Sequence, residues 1–494
     1  MTTASAPPSA LAGPAPTPLL GHLPAMWRDP IGLFTDGVRR QGDWAGFTFG
    51  PYKFMLINHP DHIRHVLLDN TGNYRKSPSY QVLRLILGEG LITSEGELWR
   101  RQRKLAQPAF HHKALAGFVA TMVRTTAELL DTWSALPAGA ALDAHDEMMR
   151  LTLRIIGGTL FGTRIAEDTD AIGAALNEVI HFIHHRSLSL WRWPLAVPTP
   201  ANRRFKRARA TLDRLVYRII AERRRAVAAP AAVTPIAGPF PQKPAGQGSE
   251  GIGAAGGVDL LGLYMAARDE DGGPGMTDSQ LRDEVMTLVL AGHETTTVVL
   301  SWTFDLLSRH PAAERRLRQE VRAVLGDRLP TLEDVERLTY TGWVISESMR
   351  LYPPAWILDR QAVEDDTIGG RPVRRGTIVG ICPYTLHRHP AFWDNPEGFD
   401  PERFSPPRSK NRPRYAYLPF GAGPRTCIGN AFALLEAKII LAMVVQRYRL
   451  ELIPGHRSEP EPSVTLRPRR GVPVTLHPAP TDPPSSADTF GTAP

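Results

Sequence analysis

Cys427 stands in the run FGAGPRTCIG, residues 420–429, and is one of only two cysteines in the chain. A cysteine acts as a nucleophile or a metal ligand only as the thiolate, and a thiolate needs donors and shelter. The run can supply both. Gly421 and Gly423 lack Cβ, so backbone can approach a flat partner and point amides at the sulfur. Arg425 suits a carboxylate, Phe420 can shield one side of the sulfur, and Gly429 allows close approach in the next turn. A helical pattern begins just beyond Cys427, and its N-terminal dipole favours the anion. Three chemistries are open to such a residue: an inert structural thiol, a nucleophile whose histidine partner the sequence does not name, or a thiolate ligand to iron. The inert thiol leaves the glycines, the arginine and the aromatic unexplained. Cys382 has no such surroundings, sits in a strand pattern, and is expected to pack.

Three further groups could do chemistry. AGHETT, Ala291 to Thr296, places an acid and an alcohol, Glu294 and Thr295, side by side in a strongly apolar helical run. Such a pair can hold and pass protons. A glycine for helix contact and threonines bonded back to the preceding turn would give the same letters. The zinc-protease pattern H-E-x-x-H is excluded, because its second histidine would fall at Thr297. Glu347 and Arg350 in ESMR share one helix face, a spacing found in many exposed pairs. Trp99 and Arg103 in WRRQRK lie one turn apart and are pure donors, which suits a carboxylate. Arg100, Arg101 and Lys104 read as the solvated flank of that helix. His181, His184 and His185 come close together, but no carboxylate or cysteine completes a ligand set.

These groups must be held by helices. TDSQLRDEVMTLVLAGHETTTVVLSWTFDLLSRHP reads as one long helix, opened by a Thr277–Gln280 capping box and ended before Pro311. Leu281, Val285, Leu288, Gly292, Thr295 and Val299 share a face of it. TYTGWVISESMRLYPP is a helix stopped by two prolines, and GNAFALLEAKIILAMVVQRY is the helix after the cysteine. ANRRFKRARATLDRLVYRIIAERRR is a long basic amphipathic helix. Strands are expected in WAGFTFGPYKFMLIN, around a Gly-Pro turn, in RPVRRGTIVGICPY, and near the C-terminus. The expected fold is mainly α with a smaller β portion. Residues 1–18 and 481–494 are expected to be disordered, and 19–480 to form one domain with a flexible Pro/Gly-rich surface loop at about 227–257.

The 58 Lys and Arg against 50 Asp and Glu leave a net charge of +8, which suits an acidic partner or an anionic surface. No basic block interleaved with aromatics marks a nucleic-acid binder. Two cysteines make no disulfide framework, and no stretch reaches about 18 uncharged apolar residues. A cytoplasmic monomer is expected, without a transmembrane anchor and with at most peripheral membrane contact. Trp191 and Trp193 in WRWPLAVPTP are expected to pack beneath a lid rather than rest on a membrane.

FGAGPRTCIG resembles, at every fixed position, the haem-binding loop F-G-x-G-x-R-x-C-x-G of the cytochrome P450 superfamily. The other three groups follow in that family's order, so the resemblance covers nearly the whole chain. It implies an α-rich triangular prism with haem b between the central long helix and the helix after the cysteine loop. It implies Cys427 on the iron, with Phe420, Gly421, Arg425 and Gly429 around the cofactor, where cysteinate favours O–O cleavage. Trp99, Arg103 and Arg360 would meet the propionates, and Ala291 would lie beside the haem. Glu294 and Thr295 would face bound dioxygen, with Gly292 making room for it. Glu347 and Arg350 would form a buried structural trio with Arg403 of FDPERF.

The implied substrate pocket is apolar. It draws on Leu83, Ile86, Leu87, Leu91 and Ile92, on Leu288, Ala291, Thr295 and Thr296, on Ala355, Trp356 and Ile357, and on Thr465 and Leu466. Arg75 and Lys76 lie upstream, within reach of a substrate carboxylate. By the same resemblance the reaction is a monooxygenation: one atom of O₂ enters a hydrophobic small molecule such as a fatty acid or terpenoid. Electrons would come from NAD(P)H through a separate ferredoxin and ferredoxin reductase, since the chain has no room for a fused flavin reductase. Two other readings remain: a thiolate-haem peroxygenase or isomerase, which has less need of the Glu294–Thr295 pair, and a non-catalytic haem- or lipophile-binding protein.

Overall fold

The structure, a computed structural model, describes residues 16–162, 169–189, 192–228, 260–266 and 275–479. Its axis is the helix Asp278–Arg309, which opens with the reciprocal Thr277–Gln280 capping box. Thirty-two residues span about 48 Å at the α-helical rise. This helix is apolar on most sides and is accordingly surrounded. Helices Ala144–Leu160, Pro200–Ala228, Thr339–Leu351 and Asn430–Arg447 pack against it. The main hydrophobic core forms along these contacts, from Leu151 and Ile156 through Val285 and Leu300 to Ile440 and Val444.

The β portion is small. Trp44–Phe49 and Tyr52–Ile57 form a hairpin, with Gly50 at φ 56° supplying the left-handed turn position. Tyr52–Ile57 then runs parallel to Ile378–Ile381, which pairs antiparallel with Leu358–Ala362, and that strand with Tyr74–Arg75. Two separate apolar clusters, one around Phe34, Phe47 and Leu56 and the other around Ile57, Val379 and Ile381, draw on this sheet. A second sheet joins Ala141–Asp143, Pro473–Pro478 and Tyr448–Leu452. A hairpin pairs Pro460–Pro462 with Leu466–Pro468.

The ends of the chain differ in part from expectation. Thr17 and Gly21 exchange backbone hydrogen bonds, so order reaches into the segment expected to be disordered. Residues 1–15 and the 481–494 tail lie outside the described residues. The helix Pro200–Ala228 takes in the first two positions of the expected 227–257 loop, whose remainder also lies outside them. Cys382 is not in a strand. It caps the short helix Pro383–Leu386 directly after Ile378–Ile381, and burial pushes its thiol up to about 11.

Candidate active site around Cys427

The cysteine loop closes on itself. Cys427 N–H donates to the Phe420 carbonyl at 2.9 Å, and Thr426 Oγ1 donates to the Gly423 carbonyl at 2.7 Å. Gly421 and Gly423 sit at φ 68° and 69°, which glycine adopts without strain. Their open sides differ. A Cβ on Gly421 would have only Leu358 Cδ1 near it, at 4.0 Å, whereas a Cβ on Gly423 would run into the carbonyl oxygen of Leu67. Gly423 therefore admits a crossing chain segment, not a flat partner as expected. A Cβ at Gly429 would make an ordinary 3.6 Å contact with Phe110.

Cys427 keeps accessible surface, yet it lies among enough protein that burial raises its thiol pKa. The Gly429 N–H and the Arg103 charge act the other way and favour the thiolate. Arg103 Nη1 donates to the Thr426 carbonyl at 2.7 Å and so also ties down the cysteine loop.

On the central helix, Ala291, Gly292 and Thr295 retain partial exposure, while every other residue from Glu284 to Leu307 is buried. Thr295 Oγ1 donates to the Ala291 carbonyl at 2.7 Å, which leaves its lone pairs available to accept. Two expectations fail here. A Cβ on Gly292 would lie 2.6 Å from Ile156 Cδ1, so this glycine serves contact with the helix Ala144–Leu160. Thr296 bonds back to the Gly292 carbonyl at 3.2 Å, is 3% exposed, and stands beside Glu436 on the helix after the cysteine. One residue is 100° of helix, so Thr296 leaves the face that Thr295 occupies and does not line a pocket. Glu294 is buried. Its Oε1 accepts from Thr465 Oγ1 at 2.8 Å, and its Oε2 has no partner among the described residues.

A cationic rim lies beside the loop. Arg425 donates to Glu95 Oε2 at 2.5 Å and to the Ser94 carbonyl at 3.0 Å, with its guanidinium 3.9 Å from the Trp99 ring. Lys76 Nζ donates to the same Ser94 carbonyl at 2.8 Å. Burial, then the Arg425 charge, lowers Lys76 to about 7. Arg360 acts on both and pairs with Tyr80. Lys76, Tyr80, Arg84 and Glu95 border a surface cavity of about 400 Å³. Three cations crowd a single ion-paired Glu95, and burial together with neighbouring charge lowers Lys76 and Arg425; such a cluster suits an anionic edge. Sequence reasoning gave Lys76 to the substrate and missed Glu95 and Tyr80. Only the chain crossing brings them together.

Behind the loop, Glu347, Arg350 and Arg403 are buried together. Arg350 Nε and Nη2 hold both oxygens of Glu347 at 2.7 and 2.8 Å, and Arg403 Nε donates to Oε1 at 3.1 Å. Arg350 also donates to the carbonyls of His387, Pro396 and Gly398. His387 Nε2 in turn accepts from the Leu418 N–H at 2.8 Å, two residues before Phe420. The trio thus fixes the chain that leads into the cysteine loop.

The expected pocket residues divide. Leu87 and Leu288 are buried in the main core, and Leu91, Ile92, Ala355 and Ile357 are half-buried. Trp356 and Leu466 are buried in the separate cluster around Phe34 and Leu56, where they pack and do not line a pocket. Trp193 is 53% exposed, against the expectation that it packs under a lid, and Trp191 lies outside the described residues. His181 Nε2 meets Arg467 Nη2 at 2.9 Å. Among the described residues no group of three His, Cys, Asp or Glu side chains could hold a metal ion.

Residues 11–474 match the cytochrome P450 family. The chain belongs to that family. It is 37% identical over 463 residues to cyclooctatin synthase of Streptomyces melanosporofaciens, covering 93% of this chain and 94% of that one. It is 37% identical over 443 residues to cyclooctat-9-en-7-ol 5-monooxygenase of the same organism, 90% of each chain. It is 32% identical over 464 residues to pentalenene oxygenase of Streptomyces avermitilis, 93% of this chain and 96% of that one. This cytochrome P450 is a monooxygenase of the α-rich P450 fold that uses haem b, O₂ and electrons derived from NAD(P)H. The residues around Cys427 suit that cofactor: an accessible cysteine enclosed by protein, an open side at Gly421, and a cationic rim. No helix among the described residues is long and apolar enough to cross a membrane.

Proposed function

We propose that this cytochrome P450 hydroxylates a cyclic terpenoid, with Cys427 as the thiolate that would hold the haem iron. The carrying observation is the patch of Ala291, Gly292 and Thr295, the accessible stretch in the otherwise buried Glu284–Leu307 part of the central helix. The relatives named for cyclooctatin, cyclooctat-9-en-7-ol and pentalenene support the substrate class. Bound haem supplies the oxygen-activating chemistry: one atom of O₂ enters the substrate and the other leaves as water, at the expense of two electrons and two protons. The chain does the rest. Gly429 N–H and Arg103 favour the Cys427 thiolate. Lys76, Arg360 and Arg425, with Trp99, would hold the carboxylate edge of the cofactor. Thr295 offers acceptor lone pairs to a donor in the site, and Glu294 carries protons through its free oxygen. Leu91, Ile92, Ala355 and Ile357 present an apolar wall. Residues 19–480 act as one domain, a cytoplasmic monomer served by a separate ferredoxin and ferredoxin reductase.

The test is the absorption spectrum of the reduced, CO-bound protein and of Cys427→His. A strongly red-shifted Soret band is expected in the wild type and not in the variant. Turnover of cyclic terpene olefins and alcohols then checks the substrate class. A wild-type band at the position of histidine-ligated haem would end the assignment.

A further inference from the structure

Thr465 stands at the tip of the hairpin between Pro460–Pro462 and Leu466–Pro468, and the tip is unusually well fastened. Trp356 Nε1 donates to the Ser463 carbonyl at 2.9 Å, and Ser463 N–H donates to the Thr465 carbonyl at 3.0 Å. Leu466 N–H donates to the Pro354 carbonyl at 3.0 Å, and Trp302 Nε1 donates to the Leu466 carbonyl at 2.7 Å. One residue further, Arg467 joins Asn177 and His181 of the helix Thr169–Leu188 and Glu461 of its own hairpin. The backbone on both sides of Thr465 is therefore fixed before its side chain is considered.

From this fixed point Thr465 Oγ1 donates to Glu294 Oε1 at 2.8 Å, with Thr465 5% and Glu294 2% exposed. Among the described residues the Glu294 carboxyl has no other hydrogen-bond partner, and its Oε2 is buried and unpaired. A hydroxyl bonded to a carboxylate away from water is a strong, directional restraint. The flexible member of the pair is the glutamate, with three side-chain torsions; the threonine sits on pinned backbone. Next to Glu294 stands Thr295, whose own hydroxyl is committed to Ala291.

We propose that Thr465 is a positioning residue for the acid: it holds one oxygen of Glu294 so that the other stays free to exchange a proton next to Thr295. The proposal rests on the reading of Glu294 as the proton-carrying acid. It assigns to the C-terminal hairpin a part in proton supply, where it had been expected only to line the substrate pocket.

The test uses the haem-loaded enzyme with reductase, ferredoxin and substrate. Thr465→Val keeps the shape and removes the donor, and Thr465→Ser restores the donor. The expected result for Thr465→Val is an about tenfold loss of product per NAD(P)H consumed, with the balance released as hydrogen peroxide. Thr465→Ser recovers most of it. The substrate-induced spectral shift and its dissociation constant stay as in the wild type. In thermal unfolding, Thr465→Val and Glu294→Leu are non-additive, because each removes the same bond. Normal coupling in Thr465→Val while Glu294→Gln is defective would overturn the role of Thr465 alone. Coupling that survives Glu294→Gln would overturn the reading of the acid and this proposal with it. Weaker substrate binding in Thr465→Val, or additive unfolding effects, would make the residue an ordinary pocket or core group.

Discussion

Glu436 is fully buried, and among the described residues Thr296 is the one hydroxyl beside its otherwise unpartnered carboxyl. Burial pushes it up to about 8, and Glu284, bonded at one oxygen by Leu91 N–H, rises to about 8 as well. Both titrate near 4.5 when unfolded, so the folded protein holds extra protons between those values. Their contribution to stability is full below about pH 4.5 and is lost as pH rises through about 8. The double variant Glu436→Gln, Glu284→Gln should flatten this slope and melt higher than the wild type above pH 8, since each pH unit separating the folded and unfolded titrations is worth about 1.4 kcal/mol. Thermal melts from pH 5 to 9 decide it; parallel curves would mean that these carboxyls are hydrated. At this scale the sequence was readable where chemistry is local. Cys427, its glycines and the Glu347–Arg350 spacing can be read from neighbouring letters. Arg425 and Glu95 are 330 positions apart, and their pairing is a property of the fold.

The central helix shows what periodicity gives and what it does not. Its limits, its capping box and the shared face of Leu288 and Thr295 follow from residue types and a period of 3.6. The same arithmetic could have separated Thr296 from Thr295. The contact of Gly292 with Ile156 could not be foreseen, because it depends on how closely two helices cross. The burial of Trp356 and Leu466 likewise reflects a sheet assembled from distant segments. The crossing makes a prediction. Gly292→Ala should cost about 1–3 kcal/mol by overpacking against Ile156, which exceeds the gain of about 1 kcal/mol for alanine over glycine in a helix. Adding Ile156→Val removes the offending Cδ1 and should restore stability to the wild-type level or above. Urea unfolding of the single and double variants measures this; a Gly292→Ala protein as stable as the wild type would return the glycine to the role of making room for oxygen.

For the whole molecule, the excess of eight positive charges sets the terms for an acidic electron donor. Raising salt from about 0.05 to 0.5 M should slow ferredoxin-driven turnover several-fold, while the substrate-induced spectral shift stays constant. Stopped-flow reduction at each ionic strength checks this, and salt-independent reduction would point to an apolar docking face. One further consequence concerns the making of the site. Arg103 bonds to Thr426 across 323 positions, and Arg425 to Ser94 across 331. A growing chain therefore cannot assemble this region until the ribosome has passed the cysteine loop, and the apolar central helix waits without its later partner Asn430–Arg447. Closure of this region around a cofactor would on this account wait for the cysteine loop, in competition with aggregation of the helices already made.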